Sequence, residues 1–277
     1  MSELLGIGKA SKMRTKLTSP VAYNLILGDS SIAVNDYIGR HLVLKYEGEI
    51  RCTHCDRKTK KSFSQGYCYP CFTRLAQCDS CIMSPEKCHY DQGTCREPEW
   101  GEANCMVDHV VYIANSSGLK VGITRGTQTP TRWIDQGAIQ ALPVLRVATR
   151  YQSGLAEVVF KAHAADRTNW RAMLKGDVEE LDMLVERERL LDLCAEEIRS
   201  LQDSYGLQAI QLASDAEVIN IDFPVRTHPD KVKSFNLDKD PVAEGVLEGI
   251  KGQYLIFDTG VINIRKYGGY YLSLSAS

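Results

Sequence analysis

Nine of the ten cysteines fall between Cys52 and Cys105, and this crowding constrains the chain more than any other feature. The first four read Cys52-x2-Cys55-x12-Cys68-x2-Cys71. A two-residue spacer turns both thiolates of a tight loop to one side, and two such loops close a tetrahedron around one ion, as Zn²⁺ requires at ~2.3 Å from each sulfur. Cys78, Cys81, Cys88 and Cys95 supply a second potential set, in which His89 or Cys105 can replace a ligand. Disulfides are the competing use of cysteine. The first residues have no apolar core of signal-peptide length, so the expected compartment is the cytoplasm, where thiols stay reduced. Two structural Zn²⁺ sites are therefore predicted. No stretch approaches the ~20 apolar residues of a membrane span, and no membrane role is expected.

Basic and aromatic residues surround the first set. Arg57, Lys58, Lys60 and Lys61 offer phosphate contacts, and Phe63, Tyr67, Tyr69 and Phe72 can either stack on bases or pack the small core of a metal module. The formal net charge of −2 says nothing about partners by itself, so a nucleic-acid protein of this balance must concentrate its cations on one face. DNA or RNA is the expected partner.

Residues 107–176 carry the other concentration of chemistry. Val110 to Ala114 and Leu119 to Thr124 are short β-branched runs joined by a turn, which predicts a β-hairpin carrying Tyr112 and Lys120-Val121-Gly122. Thr129 is expected to cap a helix bearing Arg132, a third strand to run from Ala141 to Tyr151, and a second helix to start at Ser153-Gly154. On that helix Leu155, Val158, Val159 and Ala162 form the predicted apolar face, with Glu157 at its edge. The order is ββαβα. With a tyrosine in the first strand, an apolar-Gly-apolar motif in the second, an arginine on the first helix and a glutamate on the second, the stretch resembles the GIY-YIG nuclease superfamily. The resemblance implies Tyr112, Lys120, Arg132 and Glu157 as catalytic residues, with Lys120 in place of the second motif's tyrosine. It also implies Mg²⁺ or Mn²⁺ at Glu157. Arg125 is a further expected nucleic-acid contact. Residues 60–72 (KKSFSQGYCYPCF), 98–102 (PEWGE) and 118–125 (GLKVGITR) further resemble an uncharacterised bacterial family known only as a domain of unknown function, a similarity that spans the whole length.

The rest of the chain frames these two regions. Residues 1–50 and 206–277 alternate apolar strands with Gly-containing turns, as small barrels do, and the two ends are expected to close one barrel-like unit. Residues 51–106 form the predicted zinc-binding region. Between 177 and 205 one long scaffold helix is predicted, with Leu181, Leu184, Leu191, Ile198 and Leu201 facing the core and Cys194 buried on it. The fold class is α+β. Two functions stay open at this level: a divalent-metal-dependent endonuclease, or a zinc-stabilised nucleic-acid-binding or adaptor protein with a degenerate nuclease fold.

Overall fold

The computed structural model describes residues 3–277. In chain order its strands and helices are β1 (Glu3–Lys9), β2 (Arg14–Lys16), β3 (Ala22–Leu27), β4 (Ser30–Ala33), β5 (His41–Arg51), β6 (Lys58–Thr59), α1 (Tyr69–Arg74), α2 (Pro98–Asn104), β7 (His109–Asn115), β8 (Leu119–Arg125), α3 (Thr131–Asp135), β9 (Gln140–Val147) and α4 (Arg150–Lys161). There follow α5 (Trp170–Lys175), α6 (Met183–Leu193), α7 (Ala195–Tyr205), β10 (Ile210–Leu212), β11 (Ile219–Asn220), β12 (Val242–Lys251), β13 (Tyr254–Phe257), β14 (Gly260–Asn263) and β15 (Tyr270–Ala276). The fold is α+β, with three separate sheets. By contacts the chain divides into two units: one takes in the chain up to Thr73, Leu174–Gly176 and Ile221–Ser277, and the other takes in Arg74–Met173 and Asp177–Asn220.

In the first unit the two ends of the chain do share a sheet, of seven strands in the order β1-β15-β5-β12-β13-β14, with β6 paired to β5. It stays open. A barrel would need β1 and β14, the ends of that order, to pair, whereas β2, β3 and β4 form a three-stranded sheet of their own. The unit has an internal symmetry. Ile32, Val34, Tyr37, Gly39, Leu42 and Leu44 recur at constant offset as Ile262, Ile264, Tyr267, Gly269, Leu272 and Leu274, and each copy folds as a strand, a 3₁₀ turn and a long strand. Gly39 and Gly269 both take φ of 87°, a conformation that disfavours a Cβ. The equivalent residues Leu44 and Leu274 face each other across the β5–β15 pairing, so a local two-fold axis passes between them. Each copy completes the other: β1 pairs with β15, and β12 with β5.

In the second unit β7 lies between β8 and β9, antiparallel to both, and β10 continues the sheet beyond β9. Val111, Ile113, Val121 and Ile123 pack one face of this sheet against Ala156 and Phe160 of α4 and Met183, Leu190 and Ile198 of α6 and α7. Four details differ from the sequence expectation. The third strand ends at Val147, because Thr149 starts α4 earlier: its hydroxyl accepts from the Gln152 N–H at 3.2 Å while Gln152 Oε1 accepts from the Thr149 N–H at 3.0 Å, a reciprocal capping box. That start moves the buried stripe to Ala156, Val159 and Phe160 and leaves Val158 exposed. Thr129 does not cap α3; its hydroxyl donates to the Gly126 carbonyl, and Pro130 stands at the cap. The scaffold helix is two helices. Asp182 caps α6, the chain breaks at buried Cys194 before α7, and Met183 and Leu190 face the core while Leu184 faces solvent.

Candidate functional sites: a cysteine centre and a buried polar cluster

Strand β5 ends at Arg51, and the next residue is the first cysteine of the predicted set. The Asp56 N–H returns to the Cys52 carbonyl at 3.0 Å and the Cys52 N–H donates to the Arg57 carbonyl at 2.9 Å, forming the first knuckle. The second is built where Cys68 leads into α1, which carries Cys71. The sulfurs of Cys52, Cys55, Cys68 and Cys71 all lie within 4.8 Å of one another, and those of Cys55 and Cys68 are 3.7 Å apart. Four thiolates at ~2.3 Å from one ion stand about 3.8 Å apart, so this cluster fits a tetrahedral metal. Burial pushes the Cys52 thiol up, but the N–H groups of Cys55, Cys68 and His54 and the Cys55 thiol outweigh it and bring Cys52 down to about 6. Burial and the three neighbouring thiols push Cys71 up to about 12. A cation would favour the thiolate at both.

The aromatics beside this centre pack on each other: the Phe63 ring stacks on Phe72 at 5.6 Å and meets Tyr69 at 5.5 Å. Tyr69 remains exposed. Among the basic residues, Lys58 pairs with Glu49 at 2.9 Å and Lys61 lies over the Phe63 ring, while Arg57 and Lys60 are exposed. Arg125, in the other unit, donates to Asn104 Oδ1.

The second cysteine group is arranged differently. Cys81, Cys88, Cys95 and Cys105 line one cavity of about 20 Å³; Cys78 is not among its lining residues. Close packing in this region instead involves Asp79, Cys81 and His89, whose ligand atoms lie within 4.8 Å of one another.

The polar residues of the hairpin, which alternate with the core-facing Val111, Ile113 and Val121, converge. Tyr112 pairs across the strands with Gly122, and its ring lies so close that a Cβ there would stand 2.7 Å from the hydroxyl. The motif's glycine is thus required by the tyrosine. Tyr112 Oη donates to Gln136 Oε1 at 2.9 Å, and Lys120 Nζ donates to the same oxygen at 2.6 Å and to Thr168 Oγ1 at 2.8 Å. Arg132 lies close enough for its charge to act on both the Tyr112 hydroxyl and the Lys120 amine. Tyr112 and Lys120 are buried, at 0% and 3% exposure. Burial is the main reason that the Lys120 amine falls to about 7; the Arg132 charge lowers it further, while Glu157 and Asp166 oppose. Glu157 is nearly buried, and burial pushes its carboxyl up against the opposing pull of Lys161. Lys161 Nζ stands 3.4 Å from Glu157 and 3.4 Å from Asp166. The structure therefore brings Tyr112 and Lys120 into one hydrogen-bonded knot around Gln136, with Arg132 and Glu157 within electrostatic reach of both. Gln136, Thr168 and Asp166 were not singled out from the sequence. Only Gln136 carried a signal there, one helical turn after Arg132.

Residues 39–272 match a family described as "Protein of unknown function (DUF2797)". The chain belongs to this family. The matched span runs from before β5 into β15, so both cysteine groups and the polar knot lie inside it. No curated protein and no solved structure matches the chain. No helix among the described residues is long and apolar enough to cross a membrane.

Proposed function

We propose that this protein is a divalent-metal-dependent endonuclease of the cytoplasm, with a GIY-YIG-like module at residues 107–176 and a structural Zn²⁺ on Cys52, Cys55, Cys68 and Cys71. The observation that carries the reading is the single acceptor, Gln136 Oε1, shared by Tyr112 and Lys120, with the Arg132 charge close to both. Tyr112 of β7, Lys120 of β8 and Gln136 at the end of α3 meet at one point, in a chain order ββαβα like the one the resemblance implies.

Glu157, joined by Asp166, supplies the hard oxygens that Mg²⁺ or Mn²⁺ prefers; when bound, the ion withdraws charge from a phosphate oxygen. Lys161, 3.4 Å from both carboxylates, bridges Glu157 and Asp166 and offsets their mutual repulsion. Arg132 is partly exposed and braces the developing phosphate charge. Lys120, near 7, is largely neutral at slightly alkaline pH. A neutral amine that donates its two hydrogens to Gln136 and Thr168 keeps a lone pair, which can accept a proton from attacking water. Burial thus gives the lysine a basicity that an exposed ammonium lacks. Arg57, Lys58, Lys60 and Lys61 near the cysteine centre, and Arg125, bind the nucleic-acid backbone.

A second reading rests on the closure of the same knot. Tyr112 and Lys120 are buried, and their heads already have protein partners, as in a purely structural network. The protein would then be a zinc-stabilised binding module. Incubation with single- and double-stranded DNA and RNA in Mg²⁺ or Mn²⁺ separates the two. Cleavage that disappears in Glu157→Ala supports the nuclease, and salt-sensitive binding without cleavage in either metal selects the binding module.

A further inference from the structure

Cys81, Cys88, Cys95 and Cys105 come from well-separated positions yet line one cavity, together with the rings of Tyr90 and Trp100. Their spread is wider than one ion requires. Zn²⁺ draws four thiolates to about 3.8 Å from one another, and the first cysteine centre is close to that spacing. Around the second cavity, among the described residues, only Asp79, Cys81 and His89 gather within 4.8 Å. The carboxylate of that trio is already engaged: Asp79 accepts the Ser80 N–H at 2.6 Å and pairs with Arg96 at 2.8 Å.

Two further observations lie beside Cys105, one of the cavity's lining residues. Arg150 lies close enough to Cys105 for their charges to interact, and its N–H donates to the Cys105 carbonyl at 2.8 Å. Its Nη2 donates to the Ile82 carbonyl at 2.7 Å, whereas its buried Nε has no partner. A buried guanidinium N–H without an acceptor is costly, and an anionic sulfur cage beside Cys105 would supply one.

We propose that Cys81, Cys88, Cys95 and Cys105 bind a [4Fe–4S] cluster, each thiolate ligating one iron corner of the cube. A cube holds its four ligands well beyond the spacing of a single-ion site and is commonly seated among apolar groups that exclude water. The cluster closes the cysteine-rich loop from Cys81 to Cys105, which lies against the first turns of α4. The loop is pressed there already, since a Cβ on Gly154 would meet Glu86 N at 2.5 Å and Pro85 Cβ at 2.6 Å. The helix so held carries Glu157, but the assignment does not depend on what Glu157 does.

The full chain, purified without oxygen and reconstituted with ferrous iron and sulfide, should carry about four iron and about four acid-labile sulfide, with about one zinc. Cys88→Ser and Cys105→Ser should lose the iron and keep the zinc; Cys78→Ser should keep both. Cys52→Ser should lose zinc and keep iron. About two zinc and no iron in the reconstituted wild type, or an iron or sulfide content well below about four per chain, overturns the proposal without reference to any variant's folding. Iron retained in Cys105→Ser, or lost in Cys78→Ser, overturns the ligand set. Cleavage is not the readout, so a failed nuclease assay leaves this test intact.

Discussion

Replacing Lys120 by methionine tests whether burial has made this lysine a base. Methionine has a similar reach, carries no charge, and fits a site already lined by Tyr112 and the strand. In the folded protein the amine sits near 7, against 10.5 for the ordinary side chain, and that fall corresponds to at most about 5 kcal/mol. The sign follows from proton counting. Between the two values the unfolded chain holds the proton more often than the folded one, so wild-type stability rises with pH across this window. Below about 7 the full cost of forcing the ammonium into a buried site is present, and it is relieved as pH approaches 10.5. Integrated from about pH 6 to about pH 10, the wild type should gain about 4 kcal/mol relative to Lys120→Met, as an upper bound. At the acid end the variant should be the more stable protein, after allowance for about 1 kcal/mol for each hydrogen bond lost to Gln136 and Thr168. Urea unfolding of both proteins at several pH values measures the difference. A wild-type-minus-variant difference that stays flat across the range would refute the buried-base reading, since an ammonium solvated in the fold has no such linkage.

Three other outcomes follow from the same contacts. Gly122→Ala should destabilise by about 1–3 kcal/mol, because the new Cβ has no room beneath the fully buried Tyr112 ring; an unchanged urea midpoint would remove the cross-strand packing as the reason for that glycine. Cys71→Ser should release about one zinc and expose the amides of residues 52–71 to hydrogen exchange, since structural zinc couples binding to folding; full protection without metal would contradict a metal-held module. Lys58→Ala with Lys60→Ala should weaken nucleic-acid binding about equally for all sequences and reduce the log–log salt slope by about two, and an unchanged slope would move the binding surface elsewhere.

What could be read from the sequence was mostly local. The knuckles of Cys52, Cys55, Cys68 and Cys71 are legible because a two-residue spacer fixes their geometry without help from the rest of the chain. The β7–β8 hairpin is legible for a similar reason: the turn after Asn115 pairs adjacent strands. The seven-stranded sheet was not, because its pairings join distant segments, Glu3 with Ala276 and Leu44 with Leu274. β-rich ends predict that the strands need partners, but not whether the sheet closes. The repeat from Ile32 to Leu44 at Ile262 to Leu274 is present in the sequence and would have proposed the β5–β15 pairing. Helix starts were misplaced where a side-chain bond decides them, as with Thr149 and Gln152. Thr168 and Asp166 were beyond reach, since they arrive at the site on an irregular segment after α4.

The most direct test of the nuclease reading is the single substitution Glu157→Gln, assayed for cleavage and for binding on the same nucleic acid in the presence of Mg²⁺ or Mn²⁺. The shape is kept and the metal-binding charge is removed. The account predicts turnover lower by orders of magnitude, with affinity retained or tightened because one negative charge facing the phosphate is gone. Cleavage at the wild-type rate by Glu157→Gln would contradict it.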